Sequence, residues 1–291
     1  MKLRSLLFVP GDSDKKFARA CHSGADVLIL DLEDAVAPAM KEAARERVAG
    51  WLGKAGELAA KLFVRVNPLD TGLTEADLKA VVRPGLAGIL VPKANGAHDI
   101  ATIAALIDAL EIAAGLAPGD VKIMVVATET PAAMFALGSY TPPHGRLIGL
   151  TWGAEDLSSA IGATANKEAD GAWTEPYRIA RSLCLFAAAS AEVAPIDTLY
   201  SDFRDTVGLE ADCRKARRDG FIGRIAIHPD QVETINRCFS PSDEDVAHAR
   251  LIVAAFAAQP ELGTIGIDGK MFDIPHLKAA QKTLVAAGDQ A

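Results

Sequence analysis

Cysteine is scarce in this sequence: four residues in 291, at Cys21, Cys184, Cys213 and Cys238, with no Cys-x-x-Cys pair. That scatter fits reduced thiols better than a disulfide frame or a thiolate zinc site. The six histidines show no metal-ligand spacing either. Basic residues form no run long enough to neutralise a line of phosphates, and Lys+Arg 30 against Asp+Glu 38 leaves a net charge of -8. Without a line of cations to neutralise phosphates, no nucleic-acid partner is expected. No stretch approaches the roughly 18 apolar residues that a membrane span needs. The start holds four apolar residues between Arg4 and Pro10, fewer than the about 7 to 15 of a signal-peptide core. A cytoplasmic protein with no membrane partner is therefore expected.

What the chain does have is an ample core, at 50% hydrophobic and 23% charged residues, the balance of a globular protein. Its length alone leaves one or two domains open, since α/β barrels run to about 250 residues as a single domain. Short runs rich in Val, Ile and Leu alternate with longer stretches of helical period, the pattern of βαβ units on a parallel sheet. Eight runs read as strands: 4–9, 26–30, 62–66, 86–91, 121–127, 147–151, 194–198 and 223–227. Helices are expected between them, among them one that Thr74 would cap and a long one over 174–190. Two more, over 242–258 and 274–287, follow the last strand and flank a Gly-rich connector at 263–269. Eight such units predict a TIM (β/α)8 barrel with extra C-terminal helices. No glycine fingerprint follows the first strand, which counts against a dinucleotide fold. The expected division is a catalytic barrel over 1–260 and a C-terminal helical segment over 261–291.

In a barrel, residues just past each strand's C-terminal end converge on one face. Those positions hold Asp31, Glu33 and Asp34; Arg65 and Asn67; Lys93; Glu129; Gly153, Ala154, Glu155 and Asp156; and His228. Facing carboxylates repel one another, so this set needs a shared proton or a hard cation between them. Magnesium is favoured, because it takes oxygen ligands and keeps several waters; Glu129 and Asp156, from neighbouring strands, would supply them. Arg65 lies in an apolar run, where its forked donors need a carboxylate or a developing oxyanion. A structural salt bridge from Arg65 to Asp31 or Glu33 is the plainer alternative. With no Ser-His or Cys-His pair in view, the set points to an enolate-forming reaction on a carboxylate-bearing substrate. Lys93 is read as a surface lysine or one supporting the site, rather than a Schiff-base nucleophile. Asp34 is placed either among these groups or as a helix cap. Trp51, Trp152 and Trp173 read as packing; of the three, only Trp152, beside Gly153, stands where it could line a pocket.

The same residues carry a family resemblance. RSLLFVPG from Arg4, DLEDAV from Asp31, FVRVN from Phe63, VPKA from Val91, ETP from Glu129, GAEDL from Gly153 and GKMFDIPHL from Gly269 resemble the citrate lyase beta subunit family. That family lies within the broader group of HpcH/HpaI-type aldolases and malyl-CoA lyases. The resemblance implies a Mg²⁺-dependent lyase that breaks a 3-hydroxyacyl-CoA into an acyl-CoA and a 2-oxo acid. It implies Glu129 and Asp156 as metal ligands, with Glu129 also facing the substrate. Arg65 would hold the thioester oxygen or substrate carboxylate, and the backbone N–H groups of Gly153 and Ala154 the oxo-acid carboxylate. Asp31 and Glu33 would anchor the metal's waters and orient Arg65, and Asp31 would thereby serve catalysis. Asp273 would be an acid/base supplied by a neighbouring subunit, in a homo-oligomer such as a trimer or hexamer. Many relatives carry an Asn-Arg-Pro-like turn after the first glycine, whereas Asp12 to Lys16 stand here; Lys15 or Lys16 would then meet the CoA phosphates. Two alternatives stand beside it: a citryl-lyase subunit acting on an acyl-carrier thioester, which shares the chemistry, and a malyl-CoA-type thioesterase, which hydrolyses the thioester and is a different reaction class.

Overall fold

The computed structural model describes residues 1–289. The chain folds as two compact units, Met1–Asn236 and Arg237–Ala291. In the first, eight parallel strands close a barrel in sequence order: β1 (Ser5–Pro10), β2 (Val27–Asp31), β3 (Lys61–Arg65), β4 (Leu86–Val91), β5 (Lys122–Val126), β6 (Leu147–Thr151), β7 (Ala194–Asp197) and β8 (Gly223–Ala226). The ring closes where Leu7 of β1 pairs with Ala226 of β8. Helices α1 (Asp14–Ala20), α2 (Lys41–Leu52), α3 (Thr74–Val81), α4 (Ala97–Ala114), α5 (Pro131–Ala136), α6 (Glu155–Ile161), α7 (Glu175–Ser190), α8 (Thr206–Asp219) and α9 (Val232–Phe239) follow in turn. The expected barrel is the observed one. No helix among the described residues is long and apolar enough to cross a membrane.

Because strand side chains alternate, one residue in two enters the barrel. Leu6, Val27, Ile29, Phe63, Leu90, Met124, Ile196 and Ile225 form that inner core. Carried two residues further, the same face of β2 presents Asp31 and that of β3 presents Arg65, at the C-terminal rim. Gly88 sits beside the Phe63 ring, and a Cβ there would overlap it. At the opposite end a buried ion cluster ties α4 to the sheet. Arg146 donates to Glu111 at 2.7 and 2.6 Å and also pairs with Asp108. Glu111 accepts from the N–H groups of Gly119 and Val121. Burial pushes the Glu111 carboxyl up, but these bonds outweigh it and bring it down to about 2.

Several local expectations are corrected. Thr74 does not cap α3; it is the first helical residue, and its hydroxyl donates to the Asn67 carbonyl. Asp34 is followed by a 3-10 turn at Pro38–Met40 rather than a helix it caps. The Gly-rich connector is an antiparallel hairpin, β9 (Thr264–Ile267) and β10 (Lys270–Asp273). Asp268 and Gly269 turn it with φ of 48 and 76°, the primed geometry that suits a two-residue hairpin. The second unit adds α10 (Asp243–Ala257) and α11 (Ile274–Ala287). Ile252 and Phe256 of α10 share one core with Ile265, Phe272 and Leu284. The second unit therefore begins before residue 260, because α10 packs on the hairpin and α11. The last two residues of the expected segment, 290 and 291, lie outside the described residues.

Candidate active site

Asp31 and Arg65 are register partners on β2 and β3, and their side chains meet in the barrel mouth. Arg65 Nε donates to Asp31 Oδ1 and Nη2 to Oδ2, both at 2.7 Å. Asp31 also accepts from the N–H groups of Glu33 and Ala35. Both its oxygens are thus engaged, and it acts as the anchor of Arg65 rather than as a mobile proton carrier. Nη1 of Arg65 lies 2.8 Å from Glu33 Oε2, an ion contact without hydrogen-bond alignment. Below the guanidinium lies Phe8, with Cζ 4.6 Å from its ring centre. Burial alone would lower the Arg65 pKa; the Asp31 bonds and the charges of Glu33 and Glu129 more than offset it and hold the group above an ordinary arginine. The salt bridge expected as the plainer reading is present. A guanidinium carries five N–H donors, and the bidentate pair with Asp31 uses two.

Glu129 follows β5 and is buried. The N–H of Lys93 donates to its Oε2 at 2.6 Å. Burial pushes Glu129 up to about 8; the Lys93 N–H opposes this, and the charges of Asp156 and Glu33 reinforce it. A Cβ on Gly153 would stand 2.9 Å from Glu129 Cγ and 3.2 Å from Oε1, so glycine after β6 is what lets Glu129 lie there. The Gly153 N–H is already bonded to Thr128 Oγ1 at 3.1 Å. Ala154 is the N-cap residue of α6, and Asp156 lies in that helix's first turn.

Lys93 joins these groups. It stands two residues past β4 with φ 51°, a left-handed conformation that costs a residue with a Cβ roughly 1–2 kcal/mol. Its Nζ bonds Glu33 and lies 3.2 Å from Asp156 and 3.4 Å from Asp34. Burial would lower its pKa, but Glu33, Asp156 and Glu129 raise it well above an ordinary lysine, so it is a poor amine nucleophile. Beneath the 31–34 loop, Lys41 Nζ donates to the carbonyls of Leu32 and Glu33 and to Asn67 Oδ1 at 2.7–2.8 Å. Asn67 in turn donates twice to Asp77 at 2.7 Å. A cleft of about 670 Å³ opens beside the cluster, lined by Glu33, Asp34, Lys41, Asn67 and Lys93 among others.

The structure therefore brings together Asp31, Glu33, Asp34, Arg65, Lys93, Glu129, Gly153 and Asp156. Asp273 belongs to the second unit, where it caps α11 and pairs with His276; that histidine holds its carboxyl below the usual range. Trp152 packs as read: it is buried, its Nε1 donates to Asp197 at 2.6 Å, and its ring packs edge-on against Trp173. His228 caps a short turn at Pro229–Gln231. Lys15 and Lys16 are exposed on α1. Sequence reasoning missed the central place of Lys93 and the cation–π support from Phe8. A lysine two residues past a strand, among six acidic rim residues, was the available signal.

The donor set suits a hard ion. Among the described residues no group of three or more His, Cys, Asp and Glu gathers as a metal cage, so a zinc-like closed site is absent there. Two rim carboxylates, the buried Glu129 and Asp156 in the first turn of α6, match an ion that keeps most of its waters.

A family model described as HpcH/HpaI aldolase/citrate lyase matches residues 4–229. A citrate lyase subunit beta-like protein of Mycobacterium tuberculosis is 33% identical over 283 residues, which cover 97% of this chain and 95% of that protein. A (3S)-malyl-CoA thioesterase of Cereibacter sphaeroides is 34% identical over 290 residues, covering 98% and 94%. Among solved structures, the CitE protein of M. tuberculosis in complex with magnesium, acetoacetate and coenzyme A aligns with a TM-score of 0.79 at 32% identity, covering 99% of this chain and 100% of that one.

Proposed function

The chain belongs to the HpcH/HpaI aldolase/citrate lyase family, and from that premise we propose a magnesium-dependent carbon–carbon lyase acting on a 3-hydroxyacyl-CoA such as malyl-CoA or citramalyl-CoA. The observation that carries this reading is the meeting of Glu129, Asp156 and an Asp31-held Arg65 at the mouth of one barrel. Glu129 and Asp156 would hold the ion, in keeping with the magnesium in the solved CitE complex. When bound, it supplies Lewis-acid polarisation of the oxo-acid oxygens and offsets their negative charge.

The protein's own groups do the rest. Asp31 and Glu33 lock Arg65 in one orientation, so its remaining N–H donors point at a fixed place without reorganisation cost. There they stabilise charge building on the thioester oxygen as the carbon–carbon bond breaks. Ala154, at the start of α6, presents its backbone to the oxo-acid carboxylate; the small residues at 153 and 154 allow that approach. Lys93 stays cationic, holding Glu33 by its ammonium and Glu129 by its backbone N–H. Asp273 is the proposed acid/base, delivered by a second copy of the chain in a homo-oligomer; Asp273→Asn should then lower turnover strongly while metal affinity stays unchanged.

Incubating the purified chain with malyl-CoA or citramalyl-CoA and Mg²⁺ tests the reading. Acetyl-CoA with glyoxylate or pyruvate is the expected outcome. The malyl-CoA thioesterase relative supports a second reading, hydrolysis, which would give malate and free CoA instead. Activity that appears only with an acyl-carrier thioester would place the chain with the citrate lyase subunits.

A further inference from the structure

Lys93 sits where four carboxylates converge, yet the proposed chemistry asks nothing of it beyond charge. Its Nζ bonds Glu33 and lies 3.2 Å from Asp156 Oδ1 and 3.4 Å from Asp34 Oδ2. Its own N–H holds Glu129 Oε2 at 2.6 Å. One residue thus contacts both proposed ligands, Asp156 through its charge and Glu129 through its backbone. Its positive φ of 51° is a strain that these contacts sustain. Asp156 makes no other ion pair within the described residues, whereas Glu33 is also served by Arg65. An ammonium and a divalent ion on the same carboxylate repel each other strongly at such separations.

We propose that Lys93 is the resident counter-ion of this carboxylate set and competes with the divalent ion for Asp156. On metal binding its Nζ gives up Asp156 and keeps Glu33 and Asp34, so loading the site is an exchange of cations rather than the filling of a vacant cage. The inference rests on the reading of Glu129 and Asp156 as ligands. Of two consequences, the first separates it from a merely structural salt bridge. Removing the lysine charge tightens metal binding, and the same change weakens the metal-free fold, which then has carboxylates without their cation.

The test titrates Mn²⁺ into metal-free wild type, Lys93→Met and Glu129→Ala, reading the free ion by electron paramagnetic resonance and melting with and without Mn²⁺. Lys93→Met should bind at least about tenfold more tightly than wild type, melt lower without metal, and gain more on saturation. A folded Lys93→Met that binds equally or more weakly overturns the exchange. Wild type that does not bind, or Glu129→Ala that binds as well as wild type, overturns the ligand assignment beneath it. Should Lys93→Met fail to fold, a crystal structure of wild type with Mn²⁺ decides. Nζ beyond about 4 Å from Asp156, the limit of an ion pair, supports the exchange, and Nζ still within that limit overturns it.

Discussion

Arg65 and Asp31 face each other across β2 and β3 and share two hydrogen bonds of 2.7 Å, a bidentate pair built by strand register. The pairing makes the guanidinium a fixed feature of the barrel mouth. A flexible side chain would have to be ordered at each turnover, and that cost is already met here by folding.

Replacing Arg65 by Lys keeps the charge but loses the fork. The expected result is a fall in kcat/KM of about 10²–10³-fold, measured with malyl-CoA at saturating Mg²⁺. Asp31→Asn should fall less, by about 10–100-fold, because Arg65 survives but is no longer held. Equal losses from the two would mean that Asp31 meets substrate directly.

Gly153→Ala places a methyl group 2.9 Å from Glu129 Cγ. Glu129 must shift, and Mg²⁺ affinity should weaken by about 10–100-fold with melting close to wild type. Isothermal titration with Mg²⁺ checks this, and unchanged affinity would show that Glu129 is not a ligand.

Chelation should abolish turnover reversibly. Activity lost in excess chelator and restored by Mg²⁺ is the expected outcome, with Glu129→Gln needing far more metal for restoration. Undiminished turnover in chelator would remove the metal from the mechanism.

At the far end of the barrel, Glu111 is held down to about 2 from an ordinary value of 4.5. A carboxylate with a depressed folded pKa stabilises the fold above its unfolded pKa, and that contribution is lost as pH falls through the folded one. Wild type should therefore lose melting temperature between about pH 4.5 and 2, the window set by those two values. In Glu111→Gln this part of the pH dependence should vanish. Arg146→Met should cost about 3–5 kcal/mol by leaving Glu111 buried and unpaired, read by denaturant unfolding at neutral pH.

Much of the fold was legible from apolar runs such as 27–30 and 86–91, since a strand buried on both faces reads as a continuous hydrophobic stretch. The site positions followed from barrel geometry, which sends Asp31, Arg65, Glu129 and Asp156 to one rim. Two things were not legible. The Gly-rich connector became a hairpin because Phe272 and Ile265 find a core with α10 and α11, a packing that no local pattern encodes. Lys93 became the hub of the cluster because its Nζ reaches Glu33, 60 residues earlier in the chain.

The sequence by itself determined the strand and helix order and the residue types at the rim, because periodic burial is written locally along the chain. Only the tertiary structure decided which charges pair: Asp31 with Arg65, Lys93 with Glu33 and Asp156. Ion pairing depends on distances of a few ångströms between segments far apart in sequence, and closure of the barrel sets those distances.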